Sequence, residues 1–314
     1  MKTSKMQAIR VHQYGGVEEL QLESIECPRP GDNEVLIKVH AAGVLPIDWK
    51  QRQGIFKHLR PMQFPYIPGS AIAGIIEDVG KYVTKFQIGQ EVFGRSSTGA
   101  YAEYITTDIE RLAIKPPELS FAEAASISGG ATTAWQALFV NGNIQKGQRV
   151  LIHGAAGGVG SFAVQLAVWQ GAQVIGTCSA ANVEMVKALG ASEVIDYTSC
   201  RFEDIVKEVD MVLDTVGGDT LERSYAVVKR GGVLLSFAGQ ISPEKARELG
   251  IRAEFSNTLL SADAMQEIAQ VMADGHVKAI ISHSYPLHAA RDAHIQSQTG
   301  HGRGRIVLEI QRSL

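Results

Sequence analysis

The sequence predicts an α/β protein in which a mostly β region precedes a doubly wound parallel sheet of the Rossmann type. Three observations carry this: a glycine-rich turn between Val150 and Gly160, regular alternation of strands and helices after it, and short strands of near-alternating polarity before residue 115. In the turn, VLIHGAAGGVG, Val150, Leu151 and Ile152 form the apolar run of a buried parallel strand. Val159, Phe162, Ala163, Leu166 and Gln170 then follow helical spacing, and Gly154, Gly157 and Gly160 stand where the period changes. Glycine there opens backbone conformations closed to other residues and lets a pyrophosphate approach, while the helix N-terminus offers unpaired N–H groups and partial positive charge. The helix ends at Gly171, and a strand from Gln173 to Cys178 follows. A second helix, Asn182 to Leu189, stops at Gly190, and a third strand runs from Glu193 to Asp196. Two more apolar strands, Met211 to Leu213 and Val233 to Phe237, flank a further helical segment and extend the βαβαβ unit.

The residue just past the second strand selects the nicotinamide cofactor, because an acid there bonds a ribose 2′-hydroxyl and repels a 2′-phosphate. The segment Thr177, Cys178, Ser179, Ala180, Ala181, Asn182 holds no acid, and the first charge, Glu184, lies inside the helix. NADPH is therefore expected, with Ser179 and Asn182 near the phosphate and no Arg or Lys in the turn itself.

The chain has 314 residues, 45% of them hydrophobic, enough for two domains. A formal charge of −3 spread along the sequence argues against nucleic acid or an acidic membrane as partner. The one compact basic cluster, His301 to Arg305, reads as a loop before the last strand, with phosphate contact as the alternative. Cys27, Cys178 and Cys200 are isolated and odd in number, which suggests neither a disulfide framework nor a zinc ribbon. The start, MKTSKMQAIRVHQYG, has no signal core, and a cytoplasmic protein is expected.

Strands are expected around Ala8 to His12, Val35 to His40, Ile72 to Asp78 and Tyr101 to Thr106. Ser120 and Glu123 have capping-box spacing at the start of a helix, and a second helical stretch, Thr132 to Val140, leads to the nucleotide strand. Ala262 to Ala273 reads as a helix. The final strand, Ile306 to Ile310, has no βαβ partner and is assigned back to the first domain. The expected domains are thus 1–122 with 276–314, and 123–275, with the active site in a cleft.

These motifs resemble the zinc-independent quinone oxidoreductases of the medium-chain dehydrogenase/reductase superfamily, over nearly the whole length. The resemblance rests on Ala41 to Gly54, FPYIPGSAIAGIIEDVG (Phe64 to Gly80), GAYAEY (Gly99 to Tyr104), ATTAWQAL (Ala131 to Leu138), HGAAGGVG, VIDY (Val194 to Tyr197), VLDTVGG (Val212 to Gly218) and GRIVLEI (Gly304 to Ile310). It implies a GroES-like catalytic domain beside the Rossmann domain, NADPH as donor, and reduction of quinones or α,β-unsaturated carbonyls.

Zinc-dependent members of the superfamily place ligands near Leu45 and at the positions of Gly69, Ser70 and Ala71, so no metal is expected here; His40 and His153 read as strand residues satisfied locally. Without a Lewis acid, an already electrophilic acceptor is favoured over an alcohol. The resemblance puts Asp48, Tyr66 and Tyr101 near the cleft as candidate proton donors, each with a packing or turn role as the alternative. Where many relatives carry Asn, this chain has Leu45, which implies a more apolar substrate pocket. For the cofactor, the turn Gly154, Ala155, Gly157, Gly158, Val159 and Gly160 is expected at the pyrophosphate, Thr133 at the nicotinamide, and Tyr197 and Arg303 at the adenosine phosphate. Val216, Phe237 and Gly239 are expected beyond the fourth and fifth strands, where main-chain groups would meet the nicotinamide amide. Two other readings stay open: a 2-enoyl thioester reductase, and an NADPH-binding protein with a structural or nucleic-acid-associated role. A homodimer is expected through an edge strand at Ile251 to Phe255.

Overall fold

The computed structural model describes residues 4–256, 260–300 and 302–311. His301 of the basic cluster and the first three residues of the chain start lie outside them. In chain order the first elements are β1 (Lys5–Arg10), β2 (Gln21–Glu26), β3 (Glu34–Val44), α1 (Pro46–Arg52), β4 (Ala71–Val79), β5 (Glu91–Arg95), β6 (Tyr104–Asp108), β7 (Leu112–Ile114) and α2 (Phe121–Ser126). There follow α3 (Thr132–Trp135), β8 (Arg149–His153), α4 (Gly160–Trp169), β9 (Gln173–Cys178), α5 (Val183–Ala188), β10 (Glu193–Asp196) and α6 (Phe202–Ile205). The chain continues through β11 (Val209–Asp214), α7 (Gly218–Ser224), β12 (Val228–Ser236), α8 (Pro243–Leu249), β13 (Arg252–Phe255), α9 (Ala262–Ala273), β14 (Ile281–Pro286), α10 (Ala290–Gln298) and β15 (Arg305–Glu309).

Two compact units result. The first contains the chain up to Gly129, Ser261–Ala273 and the part from Ile281 onward; the second contains Gly130–Leu260 and Asp274–Ile280. The first unit is built on a seven-stranded sheet in the order β14-β15-β3-β4-β5-β7, with β6 also on β3, and a separate β1–β2 pair. Its core gathers Ile9, Ile37, Ile72, Ile105, Leu112 and Leu308. The last strand does return here: β15 runs antiparallel to β3, with Ile306 opposite Val44. The Ser120–Glu123 capping box is made in both directions, Glu123 N donating to Ser120 Oγ at 3.2 Å and Ser120 N to the Glu123 carboxylate at 2.9 Å.

The second unit is the doubly wound sheet, in the order β10-β9-β8-β11-β12-β13 with every neighbour parallel. Eight of the ten residues of helix α4 are buried, Ser161 and Gln165 with them, as in a helix enclosed by other elements.

The units differ from the expected domains in three places. Helix α9 belongs to the first unit, where Gln266 Oε1 accepts from Ile114 N at 2.9 Å. The segment before β14 belongs to the second, because Gln165 on α4 bonds both the N–H and the C=O of Lys278 at 2.9 Å. The boundary falls after Gly129 rather than before Glu123. Tyr101, expected in a strand, lies in the loop before β6, its carbonyl accepting from Ile9 N and its N–H donating to Pro68 O. The stretch expected to be helical to Val140 is an α-helix only to Trp135 and then widens to π turns. Among the described residues no helix is long and apolar enough to cross a membrane.

Candidate functional site

Each unit carries one part of the candidate machinery. In the second, the glycine turn joins β8 to α4, and its glycines have different causes. Gly154 adopts φ +68, open to glycine at little cost. A Cβ on Gly160 would stand 2.1 Å from the Gly154 carbonyl oxygen, so position 160 is glycine for close approach. Among the described residues the amides of Gly158 and Val159 make no hydrogen bond, and they stand at the start of a ten-residue helix, the arrangement that receives a phosphate. Ala155 is fully buried with its N–H on Thr177 O at 3.0 Å, and Gly160 is packed on Gly154.

At the end of β9, Ser179 Oγ accepts from Asn182 Nδ2 at 3.1 Å, and Tyr197, half exposed, is brought there by its N–H on Cys178 O at 3.1 Å. Glu184 is exposed and paired with Lys187. An acid that sequence reading passed over, Asp196, ends the neighbouring strand; its carboxylate is held below the usual range by Thr198 and is turned into its own loop, on the Thr198 N–H and hydroxyl. Thr133 is half-buried on α3 of this unit, whereas Arg303 belongs to the first.

The loops after β11 and β12 are held by two side chains that sequence reading also missed. Asp214, fully buried, accepts from Val216 N and Gly217 N at 3.0 Å and from Ser236 Oγ at 2.7 Å. Ser236 Oγ in turn accepts from Ala238 N and Gly239 N at 3.1 Å. Phe237 N donates to Asp214 O at 3.0 Å. The amides of Phe237 and Gly239 are thus both spent within the protein. His153 is satisfied as read, by Thr177 Oγ1 and Ser224 Oγ at 3.0 Å each, and burial lowers it to about 4.

In the first unit a pocket of about 190 Å³ is walled by Asp48, Gln51, Met62, Tyr66, Ser70 and Ser96 among others. Helix α1 positions its polar wall. Pro46 opens the helix without an N–H to satisfy, and the Asp48 carboxylate caps it by accepting from Leu45 N at 2.9 Å. Tyr101, fully buried, donates its hydroxyl to Asp48 Oδ2 at 3.0 Å and meets His294 Nε2 at 3.2 Å; Arg52 Nε donates to His294 Nδ1 at 3.4 Å. A guanidinium can only donate, which makes Nδ1 the acceptor and puts the imidazole proton on Nε2, facing the tyrosine oxygen. Every bond in the chain Arg52–His294–Tyr101–Asp48 thus points toward the carboxylate.

This order sets the ionisation of the cluster. Burial pushes Asp48 up to about 6, against the pull of Leu45 N and Tyr101, and pushes His294 down to about 3 with help from Arg52. Burial also raises the Tyr66 phenol well above its ordinary range, with the Asp48 charge adding to the effect.

Tyr66 and Asp48 line this pocket, and among the described residues the buried Tyr66 hydroxyl has no partner. Tyr101 does not line it, because its hydroxyl is enclosed between Asp48 and His294. Leu45 does not line it either: it is 5% exposed and packs on Gly129, where its methyls would stand within 3 Å of an added Cβ. His40 also departs from expectation. Neither ring nitrogen has a hydrogen-bond partner, and the ring is instead stacked on Phe121 at 4.2 Å beside an open recess. Among the described residues no three His, Cys, Asp or Glu side chains come together to hold a metal.

The six-stranded parallel sheet of the second unit is of the dinucleotide-binding type. Residues 31–118 match the alcohol dehydrogenase GroES-like domain, and residues 189–308 match a family described as zinc-binding dehydrogenase. The chain is 33% identical over 324 residues to a quinone oxidoreductase of Mus musculus, covering 96% of this chain and 97% of that one. It is 33% identical over 318 residues to an NADPH-dependent alkenal/one oxidoreductase of Arabidopsis thaliana chloroplasts, covering 97% of this chain and 79% of that one. The Escherichia coli quinone oxidoreductase, solved in complex with NADPH, superposes with a TM-score of 0.89 at 28% identity, covering 96% of this chain and 99% of that one. The chain belongs to the quinone oxidoreductase family of the medium-chain dehydrogenase/reductase superfamily.

The opposed shifts at Asp48 and His294 give a test by pH. A carboxyl raised on folding contributes stability below its unfolded value near 3.8 and loses it as pH rises through 6; a histidine lowered on folding loses its contribution as pH falls below 6.5. Between pH 6 and 4 Asp48 therefore offsets part of the acid destabilisation caused by His294 and His153. In Asp48→Asn, unfolding free energy from urea titration should fall about 1.4 kcal/mol per pH unit more steeply with acid than in the wild type. Parallel profiles would remove the burial assigned to Asp48.

Proposed function

We propose that this protein is an NADPH-dependent, zinc-independent reductase that delivers hydride to quinones or to the β-carbon of α,β-unsaturated carbonyl compounds. The observation that carries the reading is the strand-end geometry of the second unit: free amides at Gly158 and Val159 beside a helix start, and neutral Ser179 and Asn182 at the end of β9. The names of the mouse, Arabidopsis and E. coli relatives support the acceptor class and the cofactor. When bound, NADPH supplies the hydride. Gly157, Gly158 and Val159 hold its pyrophosphate, Ser179 and Tyr197 its adenosine phosphate, and Thr133 and Val216 take the nicotinamide side.

Tyr66, a neutral donor with no partner of its own, binds the acceptor carbonyl oxygen and stabilises the negative charge that develops there. Asp48, raised by burial to about 6, stands in the same wall and exchanges a proton with the product anion. Tyr101 positions that carboxyl rather than touching substrate. Leu45 and Ala71 carry no ligating atom, so a zinc ion does not fit the positions that hold it elsewhere in the superfamily, and no step runs through a metal. The edge position of β13 supports a homodimer formed by pairing of that strand between copies.

Oxidation of NADPH, with NADH as control, against an ortho-quinone, a para-quinone, a 2-alkenal, a cyclic enone and a 2-enoyl thioester tests the reading. Turnover of a quinone or enone with preference for NADPH is expected; turnover of the thioester alone, or binding without turnover, would replace it. Ser179→Asp should weaken NADPH relative to NADH by charge repulsion, and an equal loss of both would limit Ser179 to folding. Tyr66→Phe should lower kcat/KM about 100-fold with NADPH affinity unchanged, and wild-type kinetics in this variant would take Tyr66 out of the mechanism.

A further inference from the structure

Four main-chain amides on the two loops past β11 and β12 converge on one buried pair of side chains. Asp214 takes Val216 N and Gly217 N, Ser236 takes Ala238 N and Gly239 N, and the pair is closed by Ser236 Oγ donating to Asp214 Oδ2 at 2.7 Å. Both side chains are fully buried. The loops also touch: Gly217 has φ +79, and a Cβ there would stand 2.6 Å from the Ala238 carbonyl oxygen. Each loop is held by one member of the pair, and the pair is itself hydrogen-bonded.

The sheet order says what these loops serve. A dinucleotide lies across the carboxyl ends of such a sheet at the point where the order reverses, here between β8 and β11. Ser179 and Tyr197 stand on the β9–β10 side, which takes the adenosine half, and the β11–β12 loops are left for the nicotinamide half. With their amides spent on Asp214 and Ser236, these loops have carbonyl oxygens to offer, acceptors for the two N–H donors of a carboxamide.

We propose that Asp214 and Ser236 are positioning residues that preset the loops 215–217 and 237–239 for the nicotinamide half of NADPH. They act through the main chain and touch no ligand; the inference rests on the cofactor reading above. Ser236→Ala takes the acceptor from Ala238 N and Gly239 N, and Asp214→Asn puts an amide donor where Gly217 N and Ser236 Oγ also donate; either change frees a loop that binding must then order, so affinity is lost on one half of the cofactor only.

Equilibrium binding of NADPH and of 2′,5′-ADP, which carries only the adenosine half, separates the possibilities. In Asp214→Asn and in Ser236→Ala, NADPH affinity should fall about tenfold or more while 2′,5′-ADP affinity stays within about twofold of wild type. Equal losses for the two ligands, or no loss for either, would overturn the proposal while leaving the cofactor reading in place. A wild-type chain that binds neither ligand overturns both. Ser236→Ala removes a single oxygen and keeps the test open if Asp214→Asn does not fold; failure of both variants to fold would make the pair purely architectural and overturn the positioning role.

Discussion

Helix α4 can begin directly over the end of β8 only because position 160 has no side chain. The Gly154 carbonyl oxygen occupies the space a Cβ would take, and that contact brings the first turn of the helix down onto the strand end. From it follow the free amides at Gly158 and Val159, the direction of the helix dipole toward the strand ends, and the enclosure of a mostly apolar helix beside the parallel sheet. The loops after β9, β11 and β12 are arranged around this point: Thr177 O receives Ala155 N, and Thr215 Oγ1 donates to His153 O at 2.8 Å. The glycine turn is thus one end of a connected set of strand-end hydrogen bonds.

The first unit solves a different electrostatic problem. It buries Arg52, Arg305, Asp48, Tyr101 and His294 almost completely, and isolated charges in such a place are costly. The cost is met by ordering the donors. Arg305 donates to Ser128 O and Arg52 to Gly15 O, while the Arg52–His294–Tyr101 chain carries hydrogen-bond polarity to Asp48 across three elements. A neutral imidazole is required in the middle, which is the form that burial favours. The same ordering leaves the carboxyl beside the pocket poised near neutrality and the Tyr66 hydroxyl unclaimed.

Local periodicity made much of this legible. The strands of the parallel sheet, the glycine turn, the capping box and the return of the last strand all rest on signals within a few residues of one another. What escaped reading depends on partners far apart. Ser236 meets Asp214 across 22 positions and Arg52 meets His294 across 242, and nothing near either histidine or serine announces the pairing. The strand β14 was missed because ISHSYP is polar and ends in proline, and its order comes from the parallel pairing with β15. Motif position likewise does not say which way a side chain is committed: the Tyr101 hydroxyl is bonded to Asp48 and His294, and Leu45 packs on Gly129.

The pairing of β15 with β3 sets an order of events when the chain is made. One edge of β3 is covered along Val35–Gly43 by β4; on the other, β6 covers Glu34–Lys38 and leaves Ala41–Val44 to β15. All the strands of the parallel sheet leave the ribosome before β15 does, so the second unit has its strands available while an apolar stretch of β3 still lacks a neighbour. Such an uncovered edge invites pairing with other chains. The late arrival of Arg305–Glu309 therefore acts as a seal, and the interval before it closes is when a nascent chain is most exposed to association and most in need of a chaperone.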